Sequence, residues 1–181
     1  MKKNNKIKIA FFDIDWTLYD HGKNPKAFTK SSIKAIEKLR KNGIKVVLCT
    51  ARAFASMLDI HTLEHLSVDG IISHNGGFIY IDNKKIRSSS LDGDFLEKFI
   101  KKTDSLGISV EIFTDFGAFS TLEPNEYVDR YHKFWDEKYS IVKKFDKNVD
   151  QCFSALVYAP EQYDEILFDK DEDFKRIFPI K

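Results

Sequence analysis

The alternation of apolar and polar segments predicts an α/β fold, a parallel sheet followed by an α+β block. Three observations carry this. Short apolar runs alternate with helical periodicities as far as about residue 80. Each run is apolar almost throughout, as strands covered on both faces are, and does not alternate with polar residues. After Asn75 the pattern changes to hairpins and helices. The 181 residues hold one domain, or one domain with a modest insertion.

The first strand is Ile7 to Phe12, apolar apart from Lys8. Ile33, Ile36 and Leu39 then fall at helical spacing, and Asn42-Gly43 supplies a left-handed cap. Ile44 to Cys49 is a second buried strand ending at Thr50. A helix with Phe54, Met57, Leu58 and Leu63 on one face leads to a third strand, Gly70 to Ser73. Right-handed βαβ units follow from this order.

Beyond the third strand, Phe78 to Ile81 and Ile86 to Ser89 flank Asp82-Asn83-Lys84-Lys85 as a hairpin. A helix over about residues 92–106 carries Phe95, Leu96, Phe99 and Ile100, with acids early and lysines late, as its dipole favours. Ile108 to Phe113, Ala118 to Leu122 and Cys152 to Tyr158 are further strands. Pro124 opens a helix whose Tyr127, Val128, Tyr131, Phe134 and Trp135 form one apolar stripe. The acidic run Glu161 to Asp173 reads as a solvated helix face. The expected domains are 1–81 and 82–181.

Composition narrows the function. Twenty-nine Lys and Arg against 28 Asp and Glu give a net charge of +1, which does not point to nucleic acid. The longest stretch without Asp, Glu, Lys or Arg, Gly70 to Ile81, is 12 residues, too short to span a bilayer. Two cysteines, Cys49 and Cys152, make no disulfide framework. The expected setting is cytoplasmic. Cys49, inside a buried strand, reads as a small core residue and not a nucleophile.

In open α/β sheets ligands bind at the carboxyl ends of the strands. Here those ends carry Asp13-Ile14-Asp15-Trp16-Thr17, Thr50-Ala51-Arg52 and Asn75-Gly76-Gly77. Two carboxylates two residues apart repel unless a cation or a proton relieves them. A hard divalent cation such as Mg²⁺ suits such a site, with one acid as nucleophile and the other as acid and base.

Asp-x-Asp-x-Thr after a first apolar strand is the signature of the haloacid dehalogenase superfamily, largely Mg²⁺-dependent phosphatases. Phe12-Asp13-Ile14-Asp15-Trp16-Thr17-Leu18 resembles it. Val46 to Arg52 is similar to the Thr-Gly-Arg motif of the Cof-type branch, and Asn75-Gly76-Gly77 to its third motif. The resemblance implies a Rossmann-like core with an α+β cap, and hydrolysis of a small phosphorylated metabolite. It implies that Asp13 forms an aspartyl-phosphate and that Asp15 is the acid and base. Mg²⁺ would lie on the Asp13 carboxylate and the Asp15 carbonyl, with Thr50, Arg52, Asn75 and Gly76 on the substrate.

Trp16 and Ala51 stand where these phosphatases have Gly; a positive φ at 16 would strain a bulky residue. The Lys and the Gly-Asp-x-x-Asn-Asp motif that follow the cap in the family are not found. Ile166 to Asp169 with Asp173 is a looser form of the latter, but reads better as a cap helix. The chain is therefore expected to be C-terminally shortened, its sheet core incomplete. That would leave one side of the first strand unpaired, a place for self-association or a partner chain. The alternative function is a non-catalytic remnant that binds phosphate or such a partner. His61-Thr62-Leu63-Glu64-His65 matches an inverted zinc-protease signature, but reads better as a helix end without a third ligand. His21 and His74 flank the first and third motifs, and His74 reads as a strand-end residue.

Overall fold

A computed structural model describes residues 7–22, 27–54, 57, 66–114, 117–135, 140–160, 163 and 167. The chain divides into two compact units, Met1–Ser90 with Thr114–Gly117, and Leu91–Phe113 with Ala118–Lys181. Among the described residues no helix is long and apolar enough to cross a membrane.

In the first unit the elements run Ile9–Phe12 (β1), Tyr19–Asp20 (β2), Ala27–Phe28 (β3), Lys30–Lys41 (α1), Lys45–Cys49 (β4), Gly70–Ser73 (β5), Phe78–Ile81 (β6) and Lys84–Ser88 (β7). One five-stranded sheet has the order β1-β4-β5-β6-β7. Its β1, β4 and β5 are parallel, and β6 and β7 are antiparallel. The short β2 and β3 pair with each other. Val46, Val47 and Leu48 of β4 are essentially inaccessible, as a continuous apolar strand inside a parallel sheet must be. Val46 and Leu48, with Ile14, Leu18, Phe28, Ile36, Met57 and Leu66, form the core of this unit.

Helix α1 starts where Thr29 Oγ1 accepts the Ser32 N–H at 3.1 Å. It stops at Asn42, and Gly43 takes a φ of 75°, the left-handed turn expected of Asn-Gly. The hairpin is tighter than expected. Its loop is Asp82-Asn83 alone, both at positive φ, and Lys84 and Lys85 belong to β7. Asp and Asn tolerate that conformation, so two residues suffice. Gly70 is required by packing: a Cβ there would meet the Tyr80 carbonyl oxygen at 2.9 Å.

The second unit comprises Gly93–Ser105 (α2), Ser109–Phe113 (β8), Ala118–Ser120 (β9), Glu126–Trp135 (α3), Ile141–Val142 (β10) and Ser154–Tyr158 (β11). The sheet order is β10-β9-β8-β11. Asp92 caps α2 by accepting the Phe95 N–H at 2.8 Å. Leu96, Phe99 and Ile100 of α2 pack with Val110 and Ile112 of β8, and with Phe119, Phe145 and Cys152. The α3 stripe is not as expected. Val128 is buried, but Phe134 is 63% exposed and His132 is the residue inside. The packed face takes His132 because it lies one turn after Val128 and meets Glu111. Glu111, in the middle of β8, is buried and accepts from the hydroxyls of Tyr158 and Ser140. The His132 ring nitrogen lies 3.7 Å from it.

Candidate active site

The two acids of the first motif leave β1 two residues apart, with Ile14 between them fully buried. The Ile14 carbonyl accepts the N–H groups of Thr17, Leu18 and Tyr19 at 2.9–3.2 Å, which folds the chain sharply back on itself. Trp16 sits inside this turn at a φ of 60°. The strain anticipated for a bulky residue is thus present, at a cost of about 1–3 kcal/mol for a non-glycine residue held in the left-handed region.

Asp13 and Asp15 occupy different environments. Asp13 is exposed, and among the described residues its carboxylate makes no hydrogen bond. Asp15 is gripped. Arg52 Nε lies 2.9 Å from Oδ2 and Nη2 lies 2.7 Å from Oδ1, a bidentate fork. His21 Nε2 lies 2.6 Å from the same Oδ1. Burial alone would push the Asp15 carboxyl up, but the hydrogen bonds and charges of Arg52 and His21 outweigh it and hold the group below the usual carboxylate range.

The second and third strand ends are laced together beside these acids. Thr50 donates its N–H to the Ile72 carbonyl at 2.9 Å, and its hydroxyl oxygen accepts the Arg52 N–H at 3.1 Å. His74 N–H reaches the Arg52 carbonyl at 2.9 Å, and His74 Nε2 accepts the Phe54 N–H at 3.1 Å. The Asn75 N–H points to the Thr50 carbonyl at 3.3 Å. His74, Asn75 and Gly76 all have positive φ, a turn that exposes Asn75 and leaves Gly76 half-buried. His74 is itself buried, so it braces the 50–54 loop from inside.

Cys49, the last residue of β4, is half-buried. Its burial, and then the negative charge of Asp13, push the thiol up from its ordinary value. A raised thiol argues against a nucleophile, but the side chain is only half-buried and is not among the buried core residues. The expected substrate contact at Arg52 is occupied by Asp15, and sequence spacing gave no sign of either the Arg52 fork or the His21 contact.

The donor set suits Mg²⁺ only in part. Among the described residues no three His, Cys, Asp or Glu side chains converge on one point. The Asp15 carboxylate is taken by Arg52 and His21. Mg²⁺ keeps several waters and needs only one or two protein carboxylates plus a substrate phosphate. The open Asp13 carboxylate with the Asp15 backbone carbonyl fits that requirement. His61, Glu64 and His65, and the Asp169 and Asp173 of the looser motif, lie outside the described residues. A groove at the opposite, amino-terminal end of β4, lined by Glu37, Arg40, Lys45 and Asp69, has mixed charge, with Arg40 held by Asp69.

Similarity to known proteins agrees with the motifs. A Bacillus subtilis (strain 168) protein whose name marks it as a candidate phosphatase, YkrA, is 33% identical over 97 residues, 54% of this chain and 36% of that protein. A phosphoglycolate phosphatase of Pyrobaculum islandicum is 31% identical over 101 residues, 56% of this chain and 43% of its own length. Among solved structures, a hypothetical protein of Geobacillus kaustophilus HTA426 superposes with a TM-score of 0.80 at 20% identity, over 96% of this chain and 63% of that one. BT4131, a sugar phosphatase of haloacid dehalogenase subclass IIB, gives a TM-score of 0.71 at 19% identity, over 95% and 64%. The chain thus spans less than half the length of these curated relatives and under two thirds of these structures. The family profile described as haloacid dehalogenase-like hydrolase matches residues 10–180, so with this fold and these strand-end motifs the chain belongs to the haloacid dehalogenase-like hydrolases.

Proposed function

We propose that the chain catalyses Mg²⁺-dependent hydrolysis of a small phosphomonoester, a sugar phosphate or nucleotide-like metabolite, in the cytoplasm. One observation carries this: of two neighbouring acids, Asp13 is exposed, with no hydrogen bond to its carboxylate among the described residues, while Asp15 is held in place beside it. A nucleophile needs an open approach, and a proton-transfer group needs a fixed position within reach of the reacting oxygen. Asp13 Oδ attacks phosphorus, the bond to the leaving oxygen breaks, and Asp15 delivers a proton to that oxygen. Water then attacks the aspartyl-phosphate, gives its proton to Asp15, and releases inorganic phosphate. The Asp13 carboxylate and the Asp15 carbonyl would hold Mg²⁺, which would neutralise phosphoryl charge.

Thr50 Oγ1 already accepts the Arg52 N–H, so its own hydrogen serves a phosphoryl oxygen. A phosphate dianion competes with Asp15 for the Arg52 fork, and yielding that fork lets Asp15 take up the proton it must donate. Asn75 and Gly76 complete the substrate side. In this reading the first unit is the catalytic core and the second the cap, and neither nucleic acid nor a membrane is a partner.

One observation favours a second reading, a non-catalytic relative that binds phosphate or a partner chain. Among the described residues β1 pairs only with β4, and its Ile9 and Phe11 side chains are exposed. Hydrolysis of 4-nitrophenyl phosphate with and without Mg²⁺, in wild type and Asp13→Asn, separates the two. Metal-dependent turnover that the substitution abolishes is expected; no turnover from folded wild type would leave the second reading.

A further inference from the structure

Asp15 is held from two sides, and only Arg52 has so far been given a part to play. The second holder is built with more care than a chance contact requires. An ionised carboxylate only accepts hydrogen bonds, so His21 Nε2 carries the hydrogen in its 2.6 Å contact with Oδ1. The His21 side chain is 5% exposed. Its ring lies 5.0 Å from the Trp16 ring and 5.0 Å from the Tyr19 ring, edge-on to the latter. Tyr19 packs edge-on against the buried Phe28 at 5.3 Å. The imidazole therefore cannot leave Asp15 without disturbing two aromatic neighbours.

Trp16 makes the arrangement unusual. Its backbone is left-handed, a conformation that strains any bulky side chain, and its indole is 65% exposed, so burial does not offset the strain. Among the described residues, the aromatic contact of the indole is with His21.

We infer that His21, clamped between Trp16 and Tyr19, is a positioning residue for Asp15. It keeps Oδ1 turned inward when a substrate phosphate draws the Arg52 fork away, leaving Oδ2 to face the leaving oxygen. This rests on Asp15 acting as the acid of the proposed phosphatase reaction.

The experiment compares kcat/KM for two phosphomonoesters, because kcat/KM reports the step in which the leaving group departs. An alkyl phosphate such as glycerol phosphate needs a proton on its leaving oxygen; 4-nitrophenyl phosphate barely does. His21→Ala is expected to lower kcat/KM for the alkyl ester about tenfold or more, part of the ~10²–10⁴-fold that positioned acids contribute, and to change the aryl ester only a few-fold. His21→Gln, which retains an N–H donor, recovers part of the loss. Trp16→Gly shares the selective defect while melting no lower than wild type. Equal losses on both esters, no loss, or a Gln variant no better than Ala would overturn the inference. Wild type without turnover, or turnover surviving Asp13→Asn, overturns the phosphatase reading instead. In that case the imidazole ¹⁵N shifts of His21 decide the clamp. They move in Asp15→Asn and Trp16→Gly if it exists, and unchanged shifts sink it.

Discussion

A carboxylate in the middle of a buried strand is costly unless every lone pair finds a donor. Glu111 meets that cost in part, accepting from the hydroxyls of Tyr158 and Ser140, with the imidazole of His132 3.7 Å away. Glu111→Ala strands these groups without an acceptor and is expected to destabilise the chain by about 3 kcal/mol. Glu111→Gln, which keeps one carbonyl oxygen, should lose roughly half as much, and urea unfolding of the two variants measures the difference. Nothing local in Ser109-Val110-Glu111-Ile112-Phe113 announces this. Period-two alternation would send the acid to solvent, but all five residues are buried. The partners come from 29 and 47 residues further along the chain. The same holds for Arg52, whose partner Asp15 is 37 residues away. Motif spacing brought both residues to the sheet's carboxyl edge, but not to each other.

Between elements, Asp69 fastens α1 to the sheet. Arg40 reaches its two oxygens at 3.1 and 3.2 Å, and the Val46 N–H adds a third bond at 2.8 Å. Burial pushes the Asp69 carboxyl up, but Arg40 and the Val46 N–H outweigh it and hold the group below its ordinary 3.8. A depressed native value means that the stabilisation is fully present above the unfolded value and is lost as pH falls through the folded one. Asp69→Asn should therefore cost about 1–2 kcal/mol at pH 7, and the gap to wild type should close below about pH 4. Thermal melts across that range test it, and a gap constant with pH would contradict it. Boundaries set by local chemistry, such as the Asn42-Gly43 stop of α1, were legible in the sequence. The hairpin loop was read two residues too long, because Lys84 and Lys85 look like turn residues until strand pairing claims them.

Over the whole molecule, the α/β order and the family were legible because buried parallel strands and three strand-end motifs in register are hard to imitate. The two units each carry their own sheet and apolar core. Among the described residues β1 is the outer strand of the first sheet, with Ile9 and Phe11 at 40% and 56% exposure. Such an edge is adhesive. The double substitution Ile9→Lys, Phe11→Lys should reduce concentration-dependent association, read by light scattering on a sizing column. A wild type monomeric at all concentrations would contradict this.

The far edge of the same sheet is different in kind. Strand β7 presents Lys84, Lys85 and Arg87, all exposed, and its pairing with β6 is interrupted by an irregularity at Ile79/Tyr80. Charge and a bulge are the usual means of blunting a sheet edge. An open filament needs two complementary adhesive edges on each copy, whereas one edge alone is satisfied by a two-fold mate. Copies joined through β1 should accordingly stop at a closed pair, with the lysine-bearing edges of both turned outward and growth terminated.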